Sequence, residues 1–275
     1  RRSIAAGVAR HFSLPEPSQG QNDAGTIVVR RGAGAARLPA RIMARSNPPE
    51  PPVERDPAAS SVDPGMKRYY AQRAPHYDVV HEQPERAADI AFLRAWIPAQ
   101  LAGRRVLEVA CGTGYWTQHI IPVSMGVTAT DATAEPLAFA RLRPGADRAI
   151  FALADAYALP GALGRFEGAF AGLWLSHVPK RRLPEFLASL HARLEPGAVV
   201  VMIDNNEAQL AELPIAERDA DGDTWQHRVL PDGSVHRVLK NFPSKAALEA
   251  MVGDVAAEFD YRALENFWAL RYRLR

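Results

Sequence analysis

The chain has 275 residues, 47% of them hydrophobic, a formal net charge of +2 and one cysteine. That is enough chain for one sizeable α/β domain, and a near-balanced charge spread along the length offers no basic face to a nucleic-acid backbone. Cys111 can form no internal disulfide, which fits a reducing cytoplasm. No Cys/His group has zinc-site spacing, and no segment approaches the roughly 20 apolar residues that cross a bilayer.

Residues 1–65 are rich in Arg, Ala, Gly, Pro and Ser, hold a proline-dense run from Asn47 to Pro57, and show no sustained apolar period. The chain opens on Arg1, while Met66 stands where helical pattern begins. Residues 1–65 therefore read as a disordered or non-native extension, and 66–275 as the folded domain. From Lys67 to Leu101 the recurring apolar positions predict one or more helices ahead of the sheet. Arg105 to Ala110 reads as a short strand buried on both faces. A helix near Tyr115 to Ile121, a strand Gly126 to Thr130, a helix near Ala134 to Leu142 and a strand Ala149 to Ala154 follow. Strand Gly168 to Leu175, helix Leu183 to Leu194, a Glu195-Pro196-Gly197 stop and strand Ala198 to Ile203 complete five β/α steps, an alternation that implies a parallel sheet. Pro231-Asp232-Gly233 marks the turn of a hairpin inserted at about 222–242. Ser244 caps a helix to about Val252. Glu258 to Leu264 and Phe267 to Arg273 alternate as two closing strands, at least one of them antiparallel.

The turn after the first strand, Cys111-Gly112-Thr113-Gly114, is where a parallel sheet seats a nucleotide, and its glycines let backbone approach a ligand closely. A nicotinamide loop would place a third glycine where Thr117 stands, opposite a pyrophosphate. The sequence instead puts an acid, Glu108, inside the strand, which suits the ammonium or sulfonium end of a cationic ligand. Asp131, ending the second strand, can accept hydrogen bonds from both ribose hydroxyls.

Val106-Leu107-Glu108-Val109-Ala110-Cys111-Gly112-Thr113-Gly114 resembles motif I of the class I S-adenosylmethionine-dependent methyltransferases, with Ala110 where many members have a third glycine. The likeness spans most of 66–275, and the chain also resembles quinone-biosynthesis C-methyltransferases. It implies a Rossmann-like, doubly wound seven-stranded sheet of order 3-2-1-4-5-7-6 with the last strand antiparallel and helices on both faces. It implies further that Glu108, Gly112 and Gly114 hold the methionine portion of S-adenosylmethionine, and that Asp155 and the backbone after it, in Ala154-Asp155-Ala156-Tyr157-Ala158-Leu159-Pro160, read adenine. Trp174-Leu175-Ser176-His177-Val178-Pro179 falls where members face both cofactor and substrate. Tyr69 to Asp78 resembles a leading helix that lids the cofactor, with Tyr70 or Tyr77 touching ligand. The expected cofactor-binding set is thus Glu108, Ala110, Gly112, Thr113, Gly114, Asp131, Ala132, Asp155, Ala156, Trp174, Tyr70 and Tyr77.

A methyl group on a sulfonium is already electrophilic, so the enzyme must chiefly align an acceptor behind it and exclude water. An oxygen or carbon acceptor adds the need for a base, and His177 is the candidate. The expected activity is methyl transfer to a small-molecule acceptor on O, N or C, without a metal, by a monomer or homodimer. The competing readings are a nicotinamide-dependent oxidoreductase, disfavoured by Thr117 and Glu108, and a noncatalytic S-adenosylmethionine-binding module. Charges at His227, Arg228, His236, Arg237 and Lys240 of the hairpin, with Asp204-Asn205-Asn206, suggest the wall for an anionic or polar substrate.

Overall fold

In a computed structural model the described residues are 63–275, so the expectation for the extension lies outside them except at Asp63 to Gly65. Those three already belong to the domain: the Asp63 carboxylate accepts from Met66 N at 2.9 Å and caps helix α1, Pro64–Arg73, which begins two residues before Met66. A 3₁₀ segment, Ala74–His81, and helix α2, Ala87–Leu101, lead into the sheet.

The sheet elements are β1 Arg105–Val109, α3 Thr117–Ile120, β2 Gly126–Asp131, α4 Ala134–Ala140, β3 Ala149–Leu153, β4 Phe166–Gly172, α5 Leu183–His191 and β5 Leu194–Asn205. After β5 come β6 Glu217–Arg218, β7 Thr224–Val229, β8 Val235–Leu239, α6 Lys245–Val252, β9 Ala256–Ala263 and β10 Phe267–Leu274. Seven strands form one sheet in the order β3-β2-β1-β4-β5-β10-β9. The first five are parallel, and β10 runs antiparallel to both its neighbours. This is the expected 3-2-1-4-5-7-6 arrangement with its closing strand reversed.

Alternate residues of each central strand enter different cores, which is why these strands read as continuous apolar runs. Leu107, Val109, Ala169, Val200 and Met202 pack with Phe186 and Leu190 of α5 and Leu248 of α6. Val106, Val127, Phe170, Val201 and Ile203 pack on the other face with Leu93 and Ile97 of α2 and Ile120 of α3. Helices thus cover both faces, and each large side chain fully buried there contributes roughly 1.5–3 kcal/mol.

Three boundaries differ from expectation for local reasons. Glu195-Pro196-Gly197 does not stop a helix ahead of a strand; it lies within β5 as a bulge, the register jumping from Phe166↔Leu194 to Gly168↔Val199, with Gly197 at φ +78. β4 ends at Gly172 rather than Leu175, because Leu173 turns to φ +57 and a 3₁₀ turn, Leu175–His177, follows. Only one turn, α3, forms where a helix from Tyr115 was expected. The hairpin closes at Pro231-Asp232-Gly233, but β6 adds a third strand to it, and Tyr69 of α1 packs against its Leu230 and Val238. Ser244 caps α6 as expected, accepting from Ala247 N at 3.2 Å.

Candidate active site

The carboxyl ends of β1 to β4 open onto a cleft. Ala110, Gly112 and Thr113 border it after β1, Asp131, Ala132 and Thr133 after β2, Ala154 and Ala156 after β3, and Gly172, Leu173, Trp174 and His177 after β4. Met66, Lys67, Tyr70 and Tyr77 from the leading segment face them.

Backbone shape makes the floor. Gly112 has φ +55 and open space where a Cβ would stand, so this turn can approach a ligand closely. Ala110 adopts φ +52, the left-handed conformation a glycine would take there, at a cost of about 1 kcal/mol. The missing third glycine therefore leaves the path of the turn unchanged. Leu173 is held in the same region at φ +57, and such strain gathers at ligand sites.

Side chains lock the turn to its surroundings. Asp131 Oδ2 accepts from Gly112 N at 3.0 Å, and its Oδ1 accepts from Thr133 N at 3.0 Å and Thr133 Oγ1 at 2.9 Å. Burial pushes its carboxyl above the usual range while hydrogen bonds from Thr133 and Gly112 pull the other way. Thr113 Oγ1 donates to Asp78 Oδ1 at 2.8 Å, and Arg143 pairs with the same carboxylate and donates from Nε to Thr113 O at 2.8 Å. The lid segment is thereby tied directly to the cradle.

Glu108 and Asp155 fall outside the cleft wall. Glu108 is only 1% exposed, and its Oε2 has no hydrogen-bond partner. Burial pushes its carboxyl up to about 8, with the neighbouring Thr117 hydroxyl acting in the opposite direction. Asp155 Oδ1 accepts from Tyr157 N at 3.0 Å, and its neighbours Ala154 and Ala156 meet the cleft instead. Gly114 also lies off the wall, its role being to pass Ala140 closely.

His177 faces the cleft with neither nitrogen free. Its Nδ1 lies 2.5 Å from Leu239 O, which can only accept, so Nδ1 carries the proton and Nε2 accepts from the Tyr70 hydroxyl at 2.8 Å. Burial, with Lys240 and Arg228 nearby, holds the imidazole well below its ordinary range, and burial lifts the Tyr70 phenol to about 12. The expected base thus stands behind Tyr70, bound on both sides. His177→Ala is expected to lower stability by about 1–3 kcal/mol, because it orphans a buried carbonyl and hydroxyl, and the shift of a urea unfolding midpoint would measure it.

A second cavity, about 330 Å³, shares Tyr70, Tyr77, Leu173 and His177 with the first and continues to Arg73, Arg86, Arg228 and Lys240. Of these, the sequence pointed to Arg228 and Lys240 as substrate wall and gave no signal for Arg73 or Leu173. No group of three or more His, Cys, Asp or Glu side chains that could hold a metal occurs among the described residues.

Residues 106–197 match the family described as a methyltransferase domain. The chain carries a methyltransferase domain. Its class is the S-adenosylmethionine-dependent one, and the chain is similar to enzymes of that class well beyond the matched segment. It is 29% identical over 205 residues to a malonyl-[acyl-carrier protein] O-methyltransferase of Enterobacter lignolyticus, covering 73% of this chain and 74% of the relative. A protein of the same name from Pectobacterium atrosepticum is 32% identical over 139 residues, 50% of this chain and 53% of the relative. The solved DhpI-SAM-HEP complex superposes with a TM-score of 0.61 at 29% identity, over 76% of this chain and 96% of DhpI. Motif I lies within this methyltransferase domain, which transfers methyl groups to a small-molecule acceptor, while the cleft draws on residues before the matched segment and the sheet on strands after it. No helix among the described residues is long and apolar enough to cross a membrane.

Proposed function

We infer that the cleft holds S-adenosylmethionine with its amino-acid end on the Ala110 to Gly114 turn, its ribose on Asp131 and its adenine beside Ala156, and that the second cavity holds the acceptor. The single observation that carries this reading is the shared wall: Tyr70, Tyr77, Leu173 and His177 border both spaces, so a methyl group at that wall faces an acceptor directly. Asp131 Oδ2 keeps a lone pair beyond the one used by Gly112, which suits a ribose hydroxyl, while both sites of Oδ1 are taken by Thr133. Burial keeps the Glu108 carboxyl protonated in the empty protein, and a cationic ammonium and sulfonium near the turn would favour its ionised form.

When bound, the donor supplies an electrophilic methyl group. The chain's residues do the rest: Tyr70 and Tyr77 close the space over it, Trp174 and Leu173 exclude water, and the His177–Tyr70 hydrogen bond fixes the lid against the hairpin carbonyl of Leu239. His177 is then a positioning residue rather than the base. The names of the two curated relatives favour oxygen as the atom methylated. The lone cysteine and near-balanced charge support a cytoplasmic enzyme, monomeric or homodimeric, acting on a metabolite rather than a nucleic acid.

Methyl-tritiated donor incubated with the enzyme and a fractionated metabolite extract tests this. Label is expected in a small-molecule product, and Asp131→Ala is expected to lower the transfer at least about tenfold through lost ribose contacts. Label released only as the hydrolysed donor would contradict it and favour the noncatalytic binding module.

A further inference from the structure

Four cationic side chains line the second cavity, and two of them form no ion pair among the described residues. Arg86 pairs with Glu212 at 2.9 Å. Lys240 donates to Asp204 and Ser176 at 2.8 Å and to Asn205 at 3.1 Å, so its ammonium is fully satisfied. Arg228 differs: it is 6% exposed, and its Nε and Nη2 both donate to one neutral oxygen, Gln226 Oε1, at 3.2 and 2.8 Å. Arg73, in the last turn of α1, donates to the Tyr69 hydroxyl at 2.8 Å and lies 5.3 Å from the Tyr77 ring centroid.

A guanidinium taken out of water without a counter-charge is costly, and proteins pair such groups. The donor's sulfonium is itself cationic and its carboxylate belongs at the other end, by the glycine turn. Resting on the reading that seats the acceptor in this cavity, we propose that the acceptor is an oxyanion with two or more oxygens on one centre, a carboxylate or the oxyanion of a phosphorus acid. Arg228 selects it, with Arg73 as second cation. The planar fork of a guanidinium matches two such oxygens, whereas an alcohol or amine leaves the charge unmet. One oxygen's lone pair forms the new O–CH3 bond as the S–CH3 bond breaks and its electrons return to sulfur, giving an ester with one negative charge fewer than the acceptor and a neutral thioether. No proton moves, so the cavity needs no base, which agrees with His177 being bound at both nitrogens.

Calorimetric titration of the protein saturated with S-adenosylhomocysteine tests this without turnover. Hexanoate or hexylphosphonate is expected to bind, hexanol and hexylamine are not, and the tighter anion identifies the central atom. Arg228→Gln is expected to weaken anion binding at least about tenfold, the loss of a charge-assisted hydrogen bond. Arg228→Lys is expected to recover part of it, and affinity for S-adenosylhomocysteine is expected to stay unchanged in both. Should Arg228→Gln fail to fold, Arg73→Gln, on a different element, carries the same expectation. Failure of both anions to bind, equal binding of the alcohol or amine, or anion affinity indifferent to the substitution overturns the oxyanion assignment. A wild-type protein with no affinity for S-adenosylhomocysteine would instead remove the underlying placement of donor and acceptor.

Discussion

Gly114→Ala is expected to destabilise the domain by roughly 3 kcal/mol and to abolish donor binding, whereas Gly112→Ala is expected to leave folding nearly intact and abolish binding alone. Both glycines sit at positive φ, +73 and +55, so each alanine carries backbone strain of about 1 kcal/mol. Their surroundings separate them. A Cβ on Gly114 would lie 2.9 Å from both Cα and Cβ of Ala140, and the α4 backbone cannot yield without moving the helix, a further overpacking cost of about 1–3 kcal/mol. A Cβ on Gly112 would meet no atom within 4 Å, because the space beside it is the cleft itself. Urea midpoints and titration with S-adenosylhomocysteine read the two effects separately. Equal stability loss in both variants would contradict the assignment of the open side of the turn to the ligand.

Glu108→Gln is expected to stabilise the empty protein at pH 8 and weaken it as a binder. The folded-state value of about 8 stands above the ordinary 4.5, so the folded protein keeps a proton that the unfolded chain releases. Stability from this group is therefore complete below about pH 4.5 and lost as pH rises through about 8. Buried His81, pushed down to about 3, and His177 act in the other direction, losing stability as pH falls below the ordinary 6.5. The difference between wild type and Glu108→Gln, followed by thermal unfolding from pH 4 to 9, isolates the carboxyl from these histidines. A cationic donor favours the ionised carboxylate, so wild-type affinity is expected to rise with pH toward about 8 while the variant stays flat and about tenfold weaker at the upper end, one pKa unit's worth of interaction. A pH-independent difference in unfolding temperature would show that the carboxyl is not buried protonated.

Much of this site was legible because its signals are local. A glycine pair after an apolar run and an acid at the end of the next strand each act through their own backbone, so the turn after β1 and Asp131 could be read from residue type and spacing, while the sheet order came with the family resemblance. What escaped depended on atoms brought together over long separations. Leu173 takes a glycine-like φ with no glycine to announce it. Arg73 and Arg228 are 155 positions apart in sequence (228 − 73), and only the packing of α1 on the hairpin turns two ordinary arginines into the unpaired charges of one cavity. His177 could be found, but the bonds from Tyr70 and to Leu239 that occupy its ring span 107 and 62 positions and left no sign in the sequence. Glu195-Pro196-Gly197 misled in the opposite way: its turn chemistry is real, but the sheet absorbs it as a bulge in β5.

The central claim is that the glycine turn after β1 cradles the donor. Calorimetric titration of the purified protein with S-adenosylhomocysteine, and separately with NADH, tests it most directly. One molecule of S-adenosylhomocysteine bound per chain, lost in Gly112→Ala, with no heat from NADH, is the predicted result. Binding of NADH in its place, or no affinity for S-adenosylhomocysteine, would contradict it.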